Sequence, residues 1–167
     1  NFMSIFLKSH LNILSKKFSN PDLELRVLLN KCSINKKDII FSNFDINNID
    51  LKNFSVAFNR RLKREPISKI YNSKSFWNNN FYVNKNVLDP RPESELIIEE
   101  SLSAIKDKNK KINILDIGTG SGCLSVCLAN EFINSTILGI DISQKAINVA
   151  KKNVELHSKY KNIILKK

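Results

Sequence analysis

The fold is decided by the stretch Asn113-Ile-Leu-Asp-Ile-Gly-Thr-Gly-Ser-Gly-Cys123 and by Leu138-Gly-Ile-Asp-Ile142, which follows it. The first stretch is an apolar run that ends at Asp116 and breaks into glycines at every second position. These glycines are Gly118, Gly120 and Gly122. The second stretch is an apolar run that ends at Asp141. Two strands joined through a glycine-rich turn and a helix are typical of a parallel α/β sheet that binds a nucleoside, because glycine lets the backbone approach the ligand.

The spacing of the glycines favours S-adenosylmethionine (SAM) over NAD as the ligand. The NAD fingerprint is GxGxxG, and its helix begins against a pyrophosphate; here the spacing is GxGxG after an Asp. SAM has no pyrophosphate but carries an ammonium and a sulfonium, which suit Asp116. Asp141 ends the second strand, and its two oxygens can accept both ribose hydroxyls. The predicted cofactor-binding residues are Asp116, Gly118, Thr119, Gly120, Ser121, Gly122 and Asp141.

Each of these assignments has a structural alternative. The glycine loop can be an ordinary tight turn between a strand and a helix. Asp141 can cap the helix that begins near Ser143 instead of binding ribose. Thr119 and Ser121 can bond either to the ligand or to the loop backbone.

The first 65 or so residues contain no glycine and predict a small all-helical unit. Apolar spacing predicts helices over residues 2–18, 21–32, 36–41 and 49–64. Asn20 is a candidate cap, because Pro21 after it fits a first helical turn. Glu65-Pro66 ends the last of these helices.

Composition changes after Pro66. Residues 71–88 are rich in aromatics and Asn, and Asn78-Asn79-Asn80 predicts a turn between two short strands. We therefore expect a β-hairpin. Asp89-Pro-Arg-Pro92 predicts a stiff extended segment, and a helix follows it to about Lys106.

Strands alternate with helices in the rest of the chain. Strands are predicted over residues 112–117, 136–140 and 161–165, with one helix after Gly122 and another from Ser143 to about His157. The expected fold is α/β: a Rossmann-like SAM-dependent methyltransferase domain, incomplete, preceded by a small all-helical domain and a β-hairpin linker. The expected bounds are 1–70 for the helical domain, 71–91 for the linker and 92–167 for the N-terminal part of the methyltransferase domain. Three strands leave an unpaired sheet edge, which predicts a chain cut short at its C-terminus.

The chain carries 27 Lys and Arg against 16 Asp and Glu, a net charge of +11. This charge fits an RNA-rich or ribosomal neighbourhood, or simply a composition rich in Lys, Asn and Ile. The tight basic cluster consists of Arg60, Arg61, Lys63 and Arg64. Three cysteines without CxxC spacing suit a reducing compartment, and the apolar runs fall far short of the roughly 20 residues that span a bilayer. We expect a cytoplasmic monomer with no membrane segment and no metal site.

One group of motifs resembles the HemK/PrmC family of release factor glutamine methyltransferases. The motifs are Glu65-Pro-Ile67, Phe76-Trp77, Phe81, Val83, Val87-Leu88, Pro90-Arg-Pro-Glu-Ser-Glu95 and the following ILDIGTGSGCL. The resemblance implies SAM-dependent methylation of the glutamine side-chain amide in the Gly-Gly-Gln motif of peptide-chain release factors. It also implies that the helical unit recognises the release factor, and that Arg91 and Glu93 lie beside the cofactor pocket. The family's Asn-Pro-Pro-Tyr motif, which holds the target amide, is expected beyond Lys167, so the catalytic residues are unknown here and this part alone is expected to be inactive.

This chain departs from the family at several positions. Family members carry a glycine near Arg64 or within residues 71–75, and this chain has none there. An apolar residue is usual at Asp89, an acid at Ser75 and a Thr at Ser94. These differences concern hinge geometry and the fit of the substrate rather than SAM recognition.

Two other functions remain open from the sequence. A nucleic-acid N-methyltransferase shares the cofactor loop, and the basic charge favours it. The linker motif and the helical unit favour the release-factor interpretation. A non-catalytic SAM-binding remnant is the alternative from another class.

Overall fold

The computed structural model of the chain describes residues 2–36, 38–159 and 162–167, which fall into two units, Asn1–Ile70 and Tyr71–Lys167. The described residues of the first unit are mainly helical, with one isolated antiparallel bridge between Ser33 and Ile49. Its helices are α1 (Phe2–Ser15), α2 (Pro21–Lys31), α3 (Leu51–Leu62) and the short α4 (Ile67–Ile70).

Side-chain caps fix where two of these helices begin. The Asn20 side chain accepts a hydrogen bond from the backbone N–H of Leu23 at 3.1 Å, with Pro21 in the first turn of α2. Asp50 caps α3 in the same way, accepting from the N–H of Asn53 at 3.0 Å. Each cap satisfies an N–H that has no partner within its helix.

The core of the first unit is built from one face of each long helix. Its fully buried leucines are Leu14, Leu25, Leu28 and Leu29. His10 lies among aromatic rings, with its ring centroid 4.7 Å from that of Phe58 and Nδ1 2.8 Å from the carbonyl oxygen of Phe6. This histidine therefore contributes to packing and lies in a different unit from the glycine loop.

The prediction of a helix over residues 36–41 is wrong at the positions that the structure describes. Residue 37 lies outside those positions. Residues 38–40 have no helical hydrogen bonding, and single 3₁₀ turns follow at Phe41–Asn43 and Ile46–Asn48. The reason is tertiary: the Asn30 side chain accepts the N–H of buried Ile39 at 2.6 Å. Lys36 has a φ of +53°, which is not a helical value, so a helix cannot pass through this residue.

The basic cluster on α3 is partly used inside the first unit. Arg60 binds the carboxylate of Glu65 through two hydrogen bonds of 2.7 and 2.6 Å. Arg61 binds Glu24 at the same two distances, and its guanidinium lies 4.2 Å from the centroid of the Phe18 ring. Two of the four clustered charges are thus paired with carboxylates, which favours a structural interpretation of both arginines.

Two residues take the left-handed backbone conformation in the regions where the family carries a glycine. Arg64 follows the end of α3 at φ +64°, and Asn72 lies at φ +50°. Glycine adopts this conformation without the steric cost that a Cβ brings, and Asn tolerates it better than most residues do. The Asn72 side chain adds a hydrogen bond to the carbonyl of Val83 at 2.9 Å.

We expect Arg64→Gly to raise the free energy of unfolding of the first unit by about 1 kcal/mol, because it removes the left-handed Cβ contact. Lys63→Gly is the matched control: Lys63 lies one residue earlier at φ −82°, where glycine brings no relief. Urea denaturation followed by circular dichroism measures both. Equal effects of the two substitutions would contradict the explanation.

The second unit opens with a hairpin whose turn lies earlier than expected. Strands β1 (Ser73–Phe76) and β2 (Asn79–Tyr82) pair antiparallel, with Phe76 opposite Asn79. The turn is therefore Trp77-Asn78, and the prediction of a turn over residues 78–80 is wrong by about one residue. Trp77 holds φ +51°, and its N–H donates to the Glu95 carboxylate at 2.6 Å, a contact remote in sequence.

The rest of the unit is an α/β layer that confirms the predicted fold class. Its sheet is parallel in the order β3-β4-β5, with Asp116 opposite Gly139. The elements, after a 3₁₀ turn at Pro92–Ser94, are α5 (Glu95–Ala104), β3 (Asn113–Ile117), α6 (Cys123–Glu131), β4 (Thr136–Ile140), α7 (Gln144–His157) and β5 (Ile163–Lys166). Residue 161, with which the third predicted strand began, lies outside the described residues.

One face of this sheet carries the core. Ile137 of β4 is fully buried with residues of the hairpin and of α5 and α6; these are Phe76, Phe81, Ile98, Val126 and Phe132. Phe76 is thus a core residue of the second unit, and Trp77 packs against the same cluster. The alternate side chains of the strands, such as Leu115 and Ile164, are exposed on the other face.

The hairpin turn is also tied to α6 through Glu131. Its carboxylate accepts the indole N–H of Trp77 at 3.2 Å and pairs with Lys108 at 2.7 Å. The hydrogen bond from Lys108 lowers the pKa of Glu131 below its ordinary value of 4.5, and the hydrogen bond from Trp77 has a smaller effect in the same direction. Partial burial opposes both.

A carboxylate whose pKa is lowered by folding stabilises the fold above its unfolded pKa, and loses that contribution as pH falls through the folded pKa. We therefore expect the melting temperature of the second unit to fall less between pH 7 and pH 3 in Glu131→Gln than in the unaltered protein. Glu100→Gln, at an exposed position of α5, is the control. An unaltered pH dependence in Glu131→Gln would contradict the role of this carboxylate.

Candidate functional site

A cleft of about 370 Å³ opens at the carboxyl ends of β3 and β4. This end of a doubly wound sheet is where such folds bind ligands. Three segments line the cleft: the linker at residues 86–91, the loop after β3 and the start of the segment that leads into α7. All three belong to the second unit.

The three glycines of the loop all have left-handed backbone conformations. Their φ angles are +75° at Gly118, +56° at Gly120 and +78° at Gly122. A Cβ at Gly118 would meet no atom within 4 Å, so this glycine leaves open space. A Cβ at Gly122 would lie 3.1 Å from the Cβ of Ala150, so this glycine lets the loop pack on α7. The glycines therefore serve two different purposes, open space and close packing.

The loop is anchored to the second strand of the sheet. The N–H groups of Gly118 and Thr119 both donate to the carbonyl of Ile140, at 2.8 and 2.9 Å. The N–H of Gly122 donates to the carbonyl of Thr119 at 2.8 Å, which closes the turn into α6. The alternating glycines thus give a compact loop held at both ends.

Asp116 is held in place by two hydroxyl groups. Its Oδ2 accepts hydrogen bonds from Thr119 Oγ1 at 2.7 Å and from Ser125 Oγ at 2.6 Å. Because both bonds go to one oxygen, the carboxylate has a fixed orientation and the other oxygen is left for the cleft, which Asp116 lines. The Thr119 hydroxyl thus bonds to the Asp116 side chain on β3 and not to the loop backbone.

Asp141 faces the same cleft from the end of β4. Its Oδ2 accepts the N–H of Gly120 at 3.0 Å and its Oδ1 accepts the N–H of Ser143 at 2.9 Å. The residue that caps α7 is Ser143, whose hydroxyl accepts from the N–H of Ala146 at 3.3 Å. Asp141 therefore is not the helix cap, and each of its oxygens keeps a second lone pair for a ligand.

The structure brings all seven predicted cofactor residues to this loop and cleft region. Six of them line the cleft: Asp116, Gly118, Thr119, Gly120, Ser121 and Asp141. Gly122 lies behind it against α7. Arg91 lines the cleft, whereas Glu93 in the adjoining 3₁₀ turn does not.

Three residues that matter here were missed in the sequence. Ser125 and Asn153 are both fully buried polar residues on helices. Gly139 lies in β4, where a Cβ would be 3.1 Å from both Ser125 Oγ and Thr119 Oγ1. A glycine inside an apolar strand was a visible signal, because glycine weakens strands and marks close approach. The two helical residues carried no such signal.

Cys123 and Cys127 are buried one turn apart on α6, and Cys123 lines the cleft. Burial raises the pKa of both thiols, that of Cys127 to about 12. Because the thiolate is the reactive form, we expect neither thiol to react with iodoacetamide at pH 8 while the protein is folded. Both should react after unfolding in guanidinium, and mass spectrometry of the two peptides measures this. Rapid labelling of Cys127 in the folded protein would contradict its burial.

The cleft residues fit SAM better than a dinucleotide. The carboxylates of Asp89, Asp116 and Asp141 line the cleft together with Arg91. SAM carries cationic groups that such carboxylates can bind. The open space at Gly118 is the cradle that a Cβ would fill. Asp116, at the entrance of the glycine loop, would repel a pyrophosphate bound there, whereas Asp141 suits the ribose of either cofactor.

Comparisons with known proteins agree with this geometry. A protein family described as "Methyltransferase domain" matches residues 108–166. The chain is 36% identical to a release factor glutamine methyltransferase of Buchnera aphidicola, over 90% of this chain and 54% of that protein. It is 37% identical to the protein of the same name in Coxiella burnetii, over 82% of this chain and 50% of that protein. A "Bifunctional methyltransferase" of Rickettsia bellii is 36% identical, over 83% of this chain and 30% of that protein.

These similarities confirm the resemblance inferred from the linker and loop motifs, and the methyltransferase domain confirms the predicted cofactor, SAM. The chain spans about half the length, or less, of the curated relatives it matches. Among solved structures, the N-terminal domain of human METTL16 matches at 16% identity with a TM-score of 0.45, over 93% of this chain and 53% of that chain. No helix within the described residues is both long and apolar enough to cross a membrane.

Proposed function

We propose that this chain, whose residues 108–166 form a methyltransferase domain, acts in the SAM-dependent methylation of the glutamine side-chain amide of peptide-chain release factors. The substrate is proposed because the chain is similar to relatives named release factor glutamine methyltransferase, at 36% and 37% identity over most of this chain. The Pro90-Arg-Pro-Glu-Ser-Glu95 linker supports it. The structure contributes a cleft whose groups suit the cofactor.

We assign the cofactor to the cleft between the glycine loop and the linker. Asp116, fixed by its two hydroxyl partners, accepts a hydrogen bond from the ammonium of the methionine part. Asp141, fixed by two backbone N–H groups, accepts the ribose hydroxyls. Gly118 leaves room for the ligand beside the loop, since a Cβ there would meet no atom within 4 Å.

SAM supplies a methyl group on a sulfonium, and the residues of this chain supply position. An amide nitrogen is a weak nucleophile, because its lone pair is delocalised into the carbonyl. Holding it in line with a donor is therefore the main contribution of such a site. In this proposal the Asn-Pro-Pro-Tyr motif of the family holds the amide, and the helical unit from residue 1 to 70 binds the release factor.

Paired arginines weigh against a nucleic-acid substrate. Arg60 and Arg61, half of the basic cluster, already bind carboxylates of the helical unit. A phosphate contact would have to displace those carboxylates. The proposed substrate is therefore a protein. We also propose that the enzyme is cytoplasmic and monomeric.

The test is a methyl-transfer assay with the protein as its gene encodes it. Radiolabelled SAM is supplied with an intact release factor, with the same release factor carrying Ala in place of the Gln of its Gly-Gly-Gln motif, or with RNA or DNA. We expect label only in the unaltered release factor. Label in RNA or DNA would establish the nucleic-acid function instead. SAM binding without label in any acceptor would favour a non-catalytic binding protein.

A further inference from the structure

Asn153 is a fully buried polar residue in the middle of α7. Its Nδ2 donates to two carbonyl oxygens, those of Tyr82 and Ser121, both at 2.8 Å. Its Oδ1 accepts the backbone N–H of Tyr82 at 2.7 Å. One amide thus satisfies three backbone groups from two distant parts of the chain.

One partner of Asn153 lines the cleft, and the other lies just before a segment that lines it. Ser121 lies in the glycine loop and lines the cleft itself. Tyr82 ends β2, shortly before the linker residues 86–91 that also line the cleft. The side chain of Asn153 therefore connects the glycine loop, at Ser121, to the end of β2, at Tyr82, from which the chain continues into the linker.

Packing makes the connection to the linker firm. Val83 and Val87, on the linker side, pack with Ala146 and Val149 of α7. Backbone and side-chain bonds between Asn72 and Val83 hold the same segment to the start of β1. We therefore expect a substitution at residue 153 to displace Tyr82 and, with it, the linker residues 86–91.

We propose that Asn153 is a positioning residue that sets the separation of the glycine loop and the linker at the cofactor cleft. An amide is required, because Asp has no N–H to donate to the two carbonyls and Leu has neither donor nor acceptor. Buried carbonyls left without donors are costly, so the loop or the linker would shift to find water. The inference rests on the proposal that this cleft binds SAM.

The test is the dissociation constant of SAM, measured by calorimetry on Asn153→Asp at a temperature where the variant is folded. Asp is isosteric, so packing volume is kept while both donors are lost. We expect the dissociation constant to rise by about tenfold or more, as small displacements of positioning groups do. A value equal to that of the unaltered protein would overturn the inference.

Asn130→Asp is the matched control. Asn130 on α6 also bridges backbone groups, donating to the carbonyl of His157 and accepting the N–H of Lys159, both at 2.9 Å. It lines none of the cleft. We expect its SAM affinity to be unchanged, so an equal loss in both variants would reduce the effect to general destabilisation and overturn the positioning role.

If Asn153→Asp does not fold, amide hydrogen exchange of the unaltered protein tests the positioning role of Asn153. We expect SAM to slow exchange of the Tyr82 amide as well as of the Gly120 amide, because Asn153 couples the glycine loop to the end of β2. Slowing at Gly120 without any change at Tyr82 would overturn the inference and leave the cofactor site intact. Absence of SAM binding to the unaltered protein would overturn the proposed function itself.

Discussion

A Gly122→Ala variant is expected to lose about 3 kcal/mol of stability in the second unit. A residue with a Cβ in the left-handed conformation costs about 1–2 kcal/mol, and overpacking adds about 1–3 kcal/mol. The overpacking arises because the new Cβ would lie 3.1 Å from Ala150 Cβ and 3.2 Å from its Cα, both on the rigid helix α7. Denaturant titration of the second unit, with circular dichroism as the signal, measures the loss.

Gly118→Ala is the matched substitution for this result. Gly118 has nearly the same φ, +75° against +78°, but its Cβ would meet no atom within 4 Å. We expect it to lose about 1 kcal/mol, from backbone strain alone. If the two variants lose the same stability, packing of the loop on α7 does not explain the glycine at position 122.

Asp141→Ala is expected to weaken SAM binding by about 1.5–3 kcal/mol, the value of a hydrogen bond to a charged group. That loss corresponds to about 10- to 150-fold in dissociation constant. The substitution also frees the N–H of Gly120, which Asp141 holds at 3.0 Å, so the loop loses one of its supports. Calorimetric titration with SAM measures the change.

The control for Asp141 lies two residues further along the chain. Ser143→Ala removes the cap of α7 and should cost about 1 kcal/mol of stability. Ser143 lines the cleft, but its backbone N–H, which the substitution keeps, is the group that holds Asp141, so we expect SAM affinity to fall by much less than in Asp141→Ala. An Asp141→Ala variant that binds SAM as tightly as the unaltered protein would remove Asp141 from the ribose site. An equal loss in Ser143→Ala would show that the start of α7, rather than the carboxylate, governs binding.

The parts of this fold that local chemistry determines were predictable from the sequence. Asn20 and Ser143 cap their helices through their own side chains, and both helices begin where those residues predict. The glycine loop was equally readable, because its three positive φ angles admit few other residues. The resemblance to the release-factor enzymes led to the same cofactor.

What distant contacts determine was not predictable. The turn at Trp77 is held by Glu95, and the irregular residues 38–40 are held by Asn30. A composition-based prediction placed the turn on the Asn run and a helix over residues 36–41. Asn153 carried no signal either, because its function depends on Tyr82, 71 residues away in the chain. Buried polar residues of this kind become visible only when the fold brings their partners together.

The central claim is that the cleft beyond β3 and β4 binds SAM. The measurement that tests it most directly is a pair of calorimetric titrations of the protein as its gene encodes it, one with SAM and one with NAD⁺. We expect SAM to bind with one site per chain and NAD⁺ to give no binding heat, because Asp116 at the glycine loop would repel a pyrophosphate. Tight NAD⁺ binding, or no heat with SAM, would contradict the account.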